Sequence, residues 1–135
     1  MRYDLEMITQ LCREIGLLAW RVDDQRVDVD LCQGAVLSFI NDELEDDCRI
    51  GFLDTPWHVH GDLMFLDRLG YRLECDYLNL LTSMKEGRVL ICEREVDGQV
   101  VDRWLAHSEY NDEFGDFEEG ERIIVRRAGY SNQAG

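Results

Sequence analysis

Apolar residues recur at three- and four-residue steps near the start of the chain. Leu5, Ile8, Leu11, Cys12, Ile15, Leu18 and Ala19 share one side, with Asp4, Glu6, Gln10, Arg13 and Glu14 opposite. That spacing predicts an amphipathic helix over residues 3–20. The period then drops to two: Val27, Val29 and Leu31 alternate with Asp28 and Asp30, the pattern of a half-exposed strand. Gln33-Gly34 reads as a turn into an apolar strand over 35–40, and a third strand is expected over 49–53, after the polar stretch 41–47. The only proline, Pro56, precedes a short extended piece, Trp57-His58-Val59-His60. Asp62 and Gly70 bracket a short predicted helix over 63–69. Asp76 and Gly87 bracket a second over 77–86, with Leu78, Leu81 and Met84 inward. Asp97-Gly98 joins strands over 88–96 and 99–106, because this dipeptide tolerates the positive φ angles of a two-residue hairpin. A last strand is expected over 122–126. These elements predict an α+β fold, mainly an antiparallel sheet of about six strands, packed by a long N-terminal helix and one or two shorter ones. A single domain over 1–128 with a frayed polar tail over 129–135 follows.

Charge changes this picture. Against 14 Lys plus Arg stand 29 Asp plus Glu, a formal net charge of -15 on 135 residues. Self-repulsion of that size works against compaction. An apolar share of 45% nevertheless excludes a disordered acidic tail, which combines high charge with low hydrophobicity. No apolar run approaches the length of a membrane span, and residues 1–6 lack the order of a secretory signal. The five cysteines, Cys12, Cys32, Cys48, Cys75 and Cys92, are widely spaced and contain no C-x-x-C. They read as reduced, mostly buried thiols of a cytoplasmic protein, with Cys48 the most exposed by pattern.

The candidate chemistry centres on Asp54-Thr55-Pro56-Trp57-His58-Val59-His60-Gly61-Asp62. In an extended segment His58 and His60 share a face, which is how a strand offers two imidazoles to one metal ion. Asp54, Asp62 or His107 would supply a third ligand, and a metal-bound water would then serve hydrolysis. A cupin-type site is excluded, because the acid expected four or five positions beyond the second histidine falls on Met64 or Phe65. The competing reading makes both histidines structural, with no cofactor and no catalytic residue. Nucleophilic catalysis has no support: Asp46-Asp47 beside Cys48 suppresses a thiolate, and neither Ser38 nor Ser83 lies in a nucleophile-elbow pattern.

The acids themselves are grouped. Asp42, Glu43, Glu45, Asp46 and Asp47 surround Leu44. A second group, Glu109, Asp112, Glu113, Asp116, Glu118, Glu119 and Glu121, is interleaved with Tyr110, Phe114 and Phe117 and contains no Lys or Arg. Clustered acids steer a basic partner, and aromatic anchors hold it. The expected partner-binding residues are therefore Asp42, Glu43, Glu45, Asp46, Asp47, Tyr110, Asp112, Glu113, Phe114, Asp116, Glu118 and Glu119. Direct nucleic-acid binding is disfavoured, since polyphosphates require cations. An acidic mimic of nucleic acid, acting on a DNA- or RNA-binding protein, remains open as an alternative. With the blocks Trp57-His58-Val59-His60-Gly61-Asp62, Val89-Leu90-Ile91-Cys92-Glu93, Asp102-Arg103-Trp104-Leu105 and Gly120-Glu121-Arg122-Ile123, the chain resembles bacterial immunity proteins of polymorphic toxin systems. The resemblance implies a cytoplasmic, non-enzymatic inhibitor that occludes the active site of a cognate basic toxin domain. A small metal-dependent enzyme using His58 and His60 is the alternative of a different class.

Overall fold

Helix α1 (Leu5–Ile15) is held at its start by Asp4, whose carboxylate accepts the Met7 N–H. It ends earlier than the apolar spacing predicts. Gly16 takes a left-handed φ of 82°, the Leu17 N–H returns to the Cys12 carbonyl, and the chain enters strand β1 (Leu18–Asp23). Leu18 continues the helical spacing in sequence only and is 65% exposed. This computed structural model describes residues 1–32, 34–44, 46–66, 69–109 and 119–129.

Strands β1, β2 (Arg26–Cys32), β3 (Ala35–Asn41), β4 (Cys48–Phe52) and β5 (His58–His60) form one antiparallel sheet in sequential order. Its inward rungs carry Val27, Val29, Leu37, Phe39 and Ile50, all buried, and α1 packs on this face across β1 and β2. Strand β6 (Leu63–Leu66) pairs with β7 (Arg72–Cys75), so the first four residues of the helix expected over 63–69 are extended instead; residues 67 and 68 lie outside the described residues. The reason is period two: Leu63 and Phe65 are buried whereas Met64 and Leu66 are 47% exposed. A four-residue apolar run cannot distinguish the two conformations by spacing alone.

Helix α2 (Tyr77–Lys85) follows, capped by Asp76, which accepts from the Leu78 and Asn79 N–H groups. The third sheet has the order β10 (Glu121–Arg126), β8 (Val89–Val96), β9 (Gln99–His107). Its β8–β9 turn has Asp97 at φ 52° and Gly98 at φ 83°, as their identity requires. The fold is α+β with antiparallel sheets, but the described residues divide ten strands among three sheets instead of placing about six in one. One continuous core joins α1, α2 and all three sheets, and Ala128 still belongs to it at 1% exposure. The Gly129 N–H donates to the Leu31 carbonyl, and residues 130–135 lie outside the described residues. No described helix is long and apolar enough to cross a membrane.

Candidate functional site

The N-terminus ties together segments that are far apart in sequence. Tyr3 and Asn41 exchange two hydrogen bonds, Tyr3 N–H to Asn41 Oδ1 (2.8 Å) and Asn41 Nδ2–H to the Tyr3 carbonyl (3.0 Å). The Tyr3 hydroxyl donates to the Gly61 carbonyl, and its ring lies 4.8 Å from that of Tyr77. The Tyr77 hydroxyl accepts the Asp4 N–H, while the Tyr77 N–H donates to Asp62 Oδ1 at 2.9 Å. Both helices therefore start at the same end of the molecule, and the loop after β3 folds against it through Arg2, which donates to the Asp42 carbonyl.

Carboxylates from four segments are gathered there: Asp4, the Asp42–Asp47 loop, Asp62 and Asp76. Asp4, Asp42, Glu43, Asp46, Asp62 and Asp76 are exposed and Asp47 is half-buried. Their negative field is felt at Tyr3, whose hydroxyl is held far above its ordinary pKa. Burial is the main cause, followed by the Cys48 thiol, with Asp62 and Asp47 adding to it. The partial positive charge at the two helix N-termini offsets part of the repulsion, because Asp4, Asp62 and Asp76 accept main-chain N–H groups of the first turns. Basic groups also stand at this end: Arg2 donates to the Asp42 carbonyl, Arg49 lines a cavity with Asp42, Glu43 and Asp47, the terminal ammonium is 3.8 Å from Asp46, and His60 Nδ1 is 3.0 Å from Asp47 Oδ2. The loop is built by an Asx turn, with Leu44 N–H donating to Asp42 Oδ1, and Leu44 protrudes at 93% exposure. Cys48, which the pattern left exposed, is buried at 3%, because it begins β4 and its N–H is already satisfied by Asp47 Oδ1.

Of the expected partner-binding residues, Asp42, Glu43, Asp46 and Asp47 are brought together with three acids that sequence spacing did not associate with them. Glu45, Tyr110, Asp112, Glu113, Phe114, Asp116 and Glu118 lie outside the described residues; Glu119 is exposed just before β10. Asp76 is legible as a helix cap, whereas Asp4 falls inside the helix expected over 3–20, and capping says nothing about which end of the fold a helix start occupies.

His58 and His60 do share a face of β5, with ring centroids 5.2 Å apart. Each Nδ1 is engaged, His58 with the Pro56 carbonyl and His60 with Asp47. The proposed third ligands are held elsewhere: Asp54 pairs with Arg103, Asp62 accepts from Tyr77, and His107 ends β9 beside Phe65. Arg49, directly across from His60 in the β4–β5 register, adds a cation where a metal would sit. Among the described residues no group of three or more His, Cys, Asp or Glu is placed to hold a metal ion.

A Cys–His combination does occur in a second cavity of about 410 Å³, lined by Cys75, Ser83, Arg88, His107 and Glu109 among others. Burial, reinforced by Asp76, pushes the Cys75 thiol up, against a smaller lowering by Ser83. Burial pulls the His107 imidazole down, although Glu109 opposes it. His107 Nδ1 accepts the Glu109 N–H. A thiol held towards its protonated form and an imidazole whose Nδ1 is already engaged provide no activated nucleophile.

A different charged group joins the sheets. Glu93 on β8, 1% exposed, receives Arg103 Nε from β9 at 2.7 Å, and Arg126 Nε from β10 stands 2.8 Å from its other oxygen. Arg103 also binds Asp54 in the β4–β5 connection and lies over the Phe52 ring at 5.5 Å. This network anchors the connection that carries Thr55, Pro56 and Trp57. Comparison with protein-family models, with curated proteins and with solved structures finds no match for this chain.

Proposed function

We propose that this is a cytoplasmic acidic binding protein that neutralises a cognate basic protein, a toxin or effector domain, by seating its acidic end over that protein's active site. The observation that carries the reading is the convergence of Asp4, Asp42, Glu43, Asp46, Asp47, Asp62 and Asp76 on one end, around a fully protruding Leu44. Enzymes that act on nucleic acid present cationic clefts to phosphates, and an array of carboxylates complements such a cleft. Leu44, exposed on the same loop as Asp42 and Glu43, supplies an apolar contact beside these charges. The resemblance to bacterial immunity proteins agrees with this reading.

The test is stopped-flow association with the product of the neighbouring gene. Raising salt from low to physiological concentration should slow association about tenfold or more, as electrostatic steering predicts. Replacing Asp42, Glu43, Asp46 and Asp47 together by Lys should abolish that steering, whereas Leu44→Ala should chiefly speed dissociation. An on-rate indifferent to both salt and charge reversal would refute the model.

A further inference from the structure

In a chain with twice as many acids as bases, one cavity has the opposite character. It opens on the outward face of the five-stranded sheet and has a volume of about 280 Å³; its ionisable lining consists of Arg26, Arg49 and His58, and the buried Asp28 carboxylate is held by Arg26 and Ser38 of that lining. Two adjacent rungs build it. One runs Asp28, Ser38, Gly51, His58 across β2 to β5; the next runs Arg26, Ile40, Arg49, His60. Gly51 makes the hollow, because a Cβ there would meet His58 Cβ at 2.9 Å and the Trp57 carbonyl at 3.0 Å. The connection anchored by Asp54 on Arg103 folds Thr55, Pro56 and Trp57 over one side.

The polar atoms at this hollow are unevenly satisfied. Arg26 is neutralised by a bidentate pair with Asp28, 2.8 Å at both contacts, and Ser38 donates to the same carboxylate. Arg49 is exposed and has no carboxylate partner among the described residues. Thr55 Oγ1 is buried without a hydrogen-bond partner, which native structures rarely leave so. The carbonyl of Pro56 can only accept, so His58 Nδ1 carries the proton towards it, and the neutral ring offers Nε2 as an acceptor, suited to the P–OH of a monoester monoanion. Arg26 and Arg49 stand two strands apart, about 10 Å at the backbone, so guanidinium groups from both sides reach a ligand seated over Gly51.

We propose that this cavity binds a phosphate monoester. A lining that carries two guanidinium groups, a hydroxyl and an imidazole suits a tetrahedral oxyanion with several oxygens better than a planar carboxylate with two. The space exceeds that of a free phosphate, and Ile40, Leu53, Pro56 and Trp57 provide apolar wall for an organic group. The size of the cavity and its single guanidinium without a carboxylate partner among the described residues, Arg49, suit a small, singly phosphorylated ligand.

Calorimetric titration with inorganic phosphate, glucose 6-phosphate, adenosine monophosphate and acetate tests the site on the intact protein. Saturable binding of at least one monoester, tighter than inorganic phosphate and far tighter than acetate, is expected, with movement of the His58 ring resonances. Arg49→Gln, at an exposed position that folding does not depend on, should weaken binding about tenfold or more, the worth of one charge-assisted hydrogen bond. Thr55→Val should weaken it less. The Lys substitutions at Asp42, Glu43, Asp46 and Asp47 remove acids, of which Asp42, Glu43 and Asp47 share a cavity with Arg49, so they should preserve or strengthen phosphate binding while abolishing the steering of a basic partner, and the two proposals fail separately. No saturable binding of any monoester at millimolar concentration overturns the proposal. So does acetate binding as tightly, or affinity unchanged by Arg49→Gln.

Discussion

The acidic end and the network between the sheets handle carboxylates in opposite ways. At the acidic end, side chains from four segments stay in water, and main-chain N–H groups at helix starts answer them more often than cations do. Between the sheets Glu93 is withdrawn from water altogether, and two guanidinium groups surround it. Solvation makes the first arrangement tolerable, whereas only ion pairing makes the second tolerable. Charge left in water is available to a partner. Charge that is paired and buried holds elements in place and has nothing further to offer.

The largest test of that contrast is Arg103→Ala, which strands Glu93 as an uncompensated buried carboxylate and also frees Asp54. Denaturant unfolding should show a loss of about 3–5 kcal/mol, the cost of breaking a buried pair from one side. A double change of Arg103→Met and Glu93→Leu should recover much of it, since no charge is then buried. A loss as small as that of a surface substitution would mean that the network does not anchor the β4–β5 connection.

Asp28 lies between the two extremes, 3% exposed yet on the outward face of the sheet. Burial works to raise its pKa, but the hydrogen bonds from Arg26 and Ser38 and the charge of Arg26 outweigh it, and the carboxyl is held below its ordinary value of 3.8. As pH falls, the unfolded chain therefore takes up this proton first. The stabilisation is complete above 3.8 and is lost as pH drops through the lower, folded value. Asp28→Asn should cost about 1–3 kcal/mol at neutral pH by leaving buried partners poorly satisfied. The gap to the parent protein should close in acid, and a gap that widens there would reverse the assignment.

The smallest effect belongs to the acidic end. Its mutual repulsion is screened over about 10 Å at 0.1 M salt, so the melting temperature should rise modestly on adding sodium chloride. Exposed charges interact weakly, and the gain should stay at about 1 kcal/mol or less. Neutralising Asp42, Glu43, Asp46 and Asp47 to their amides should flatten the response. A melting temperature that falls with salt would show that these acids are already compensated.

Legibility followed the range of the interactions. Asp97-Gly98 announced its hairpin, and Asp76 with Gly87 bounded α2 to within a residue, because each device acts on its own neighbours. The end of α1 was misread because Leu18 and Ala19 prolonged the spacing past Gly16, although the glycine was the stronger signal. Residues 63–66 form a strand where the caps suggest a helix, because an apolar run so short fits either period, and pairing with β7 decides it. Within the candidate site, the loop from Asp42 to Asp47 was readable as a charge run. Its alliance with Asp4, Asp62 and Asp76 was not, since it passes through Tyr3, Asn41 and Tyr77, which carry no charge at all.

The sequence by itself determined the excess of acid, the α+β class, the paired histidines on one face of an extended piece, the Asp97-Gly98 turn and the bounds of α2. All of these follow from composition or from contacts within a few residues. Only the tertiary structure decided which acids act together, that Glu93 is buried between Arg103 and Arg126, and that Arg26, Arg49 and His58 surround a hollow over Gly51. Those arrangements depend on strand register and on docking between sheets, where a shift of one residue would turn each side chain to the other face. No local spacing encodes that choice; the burial of the whole core does.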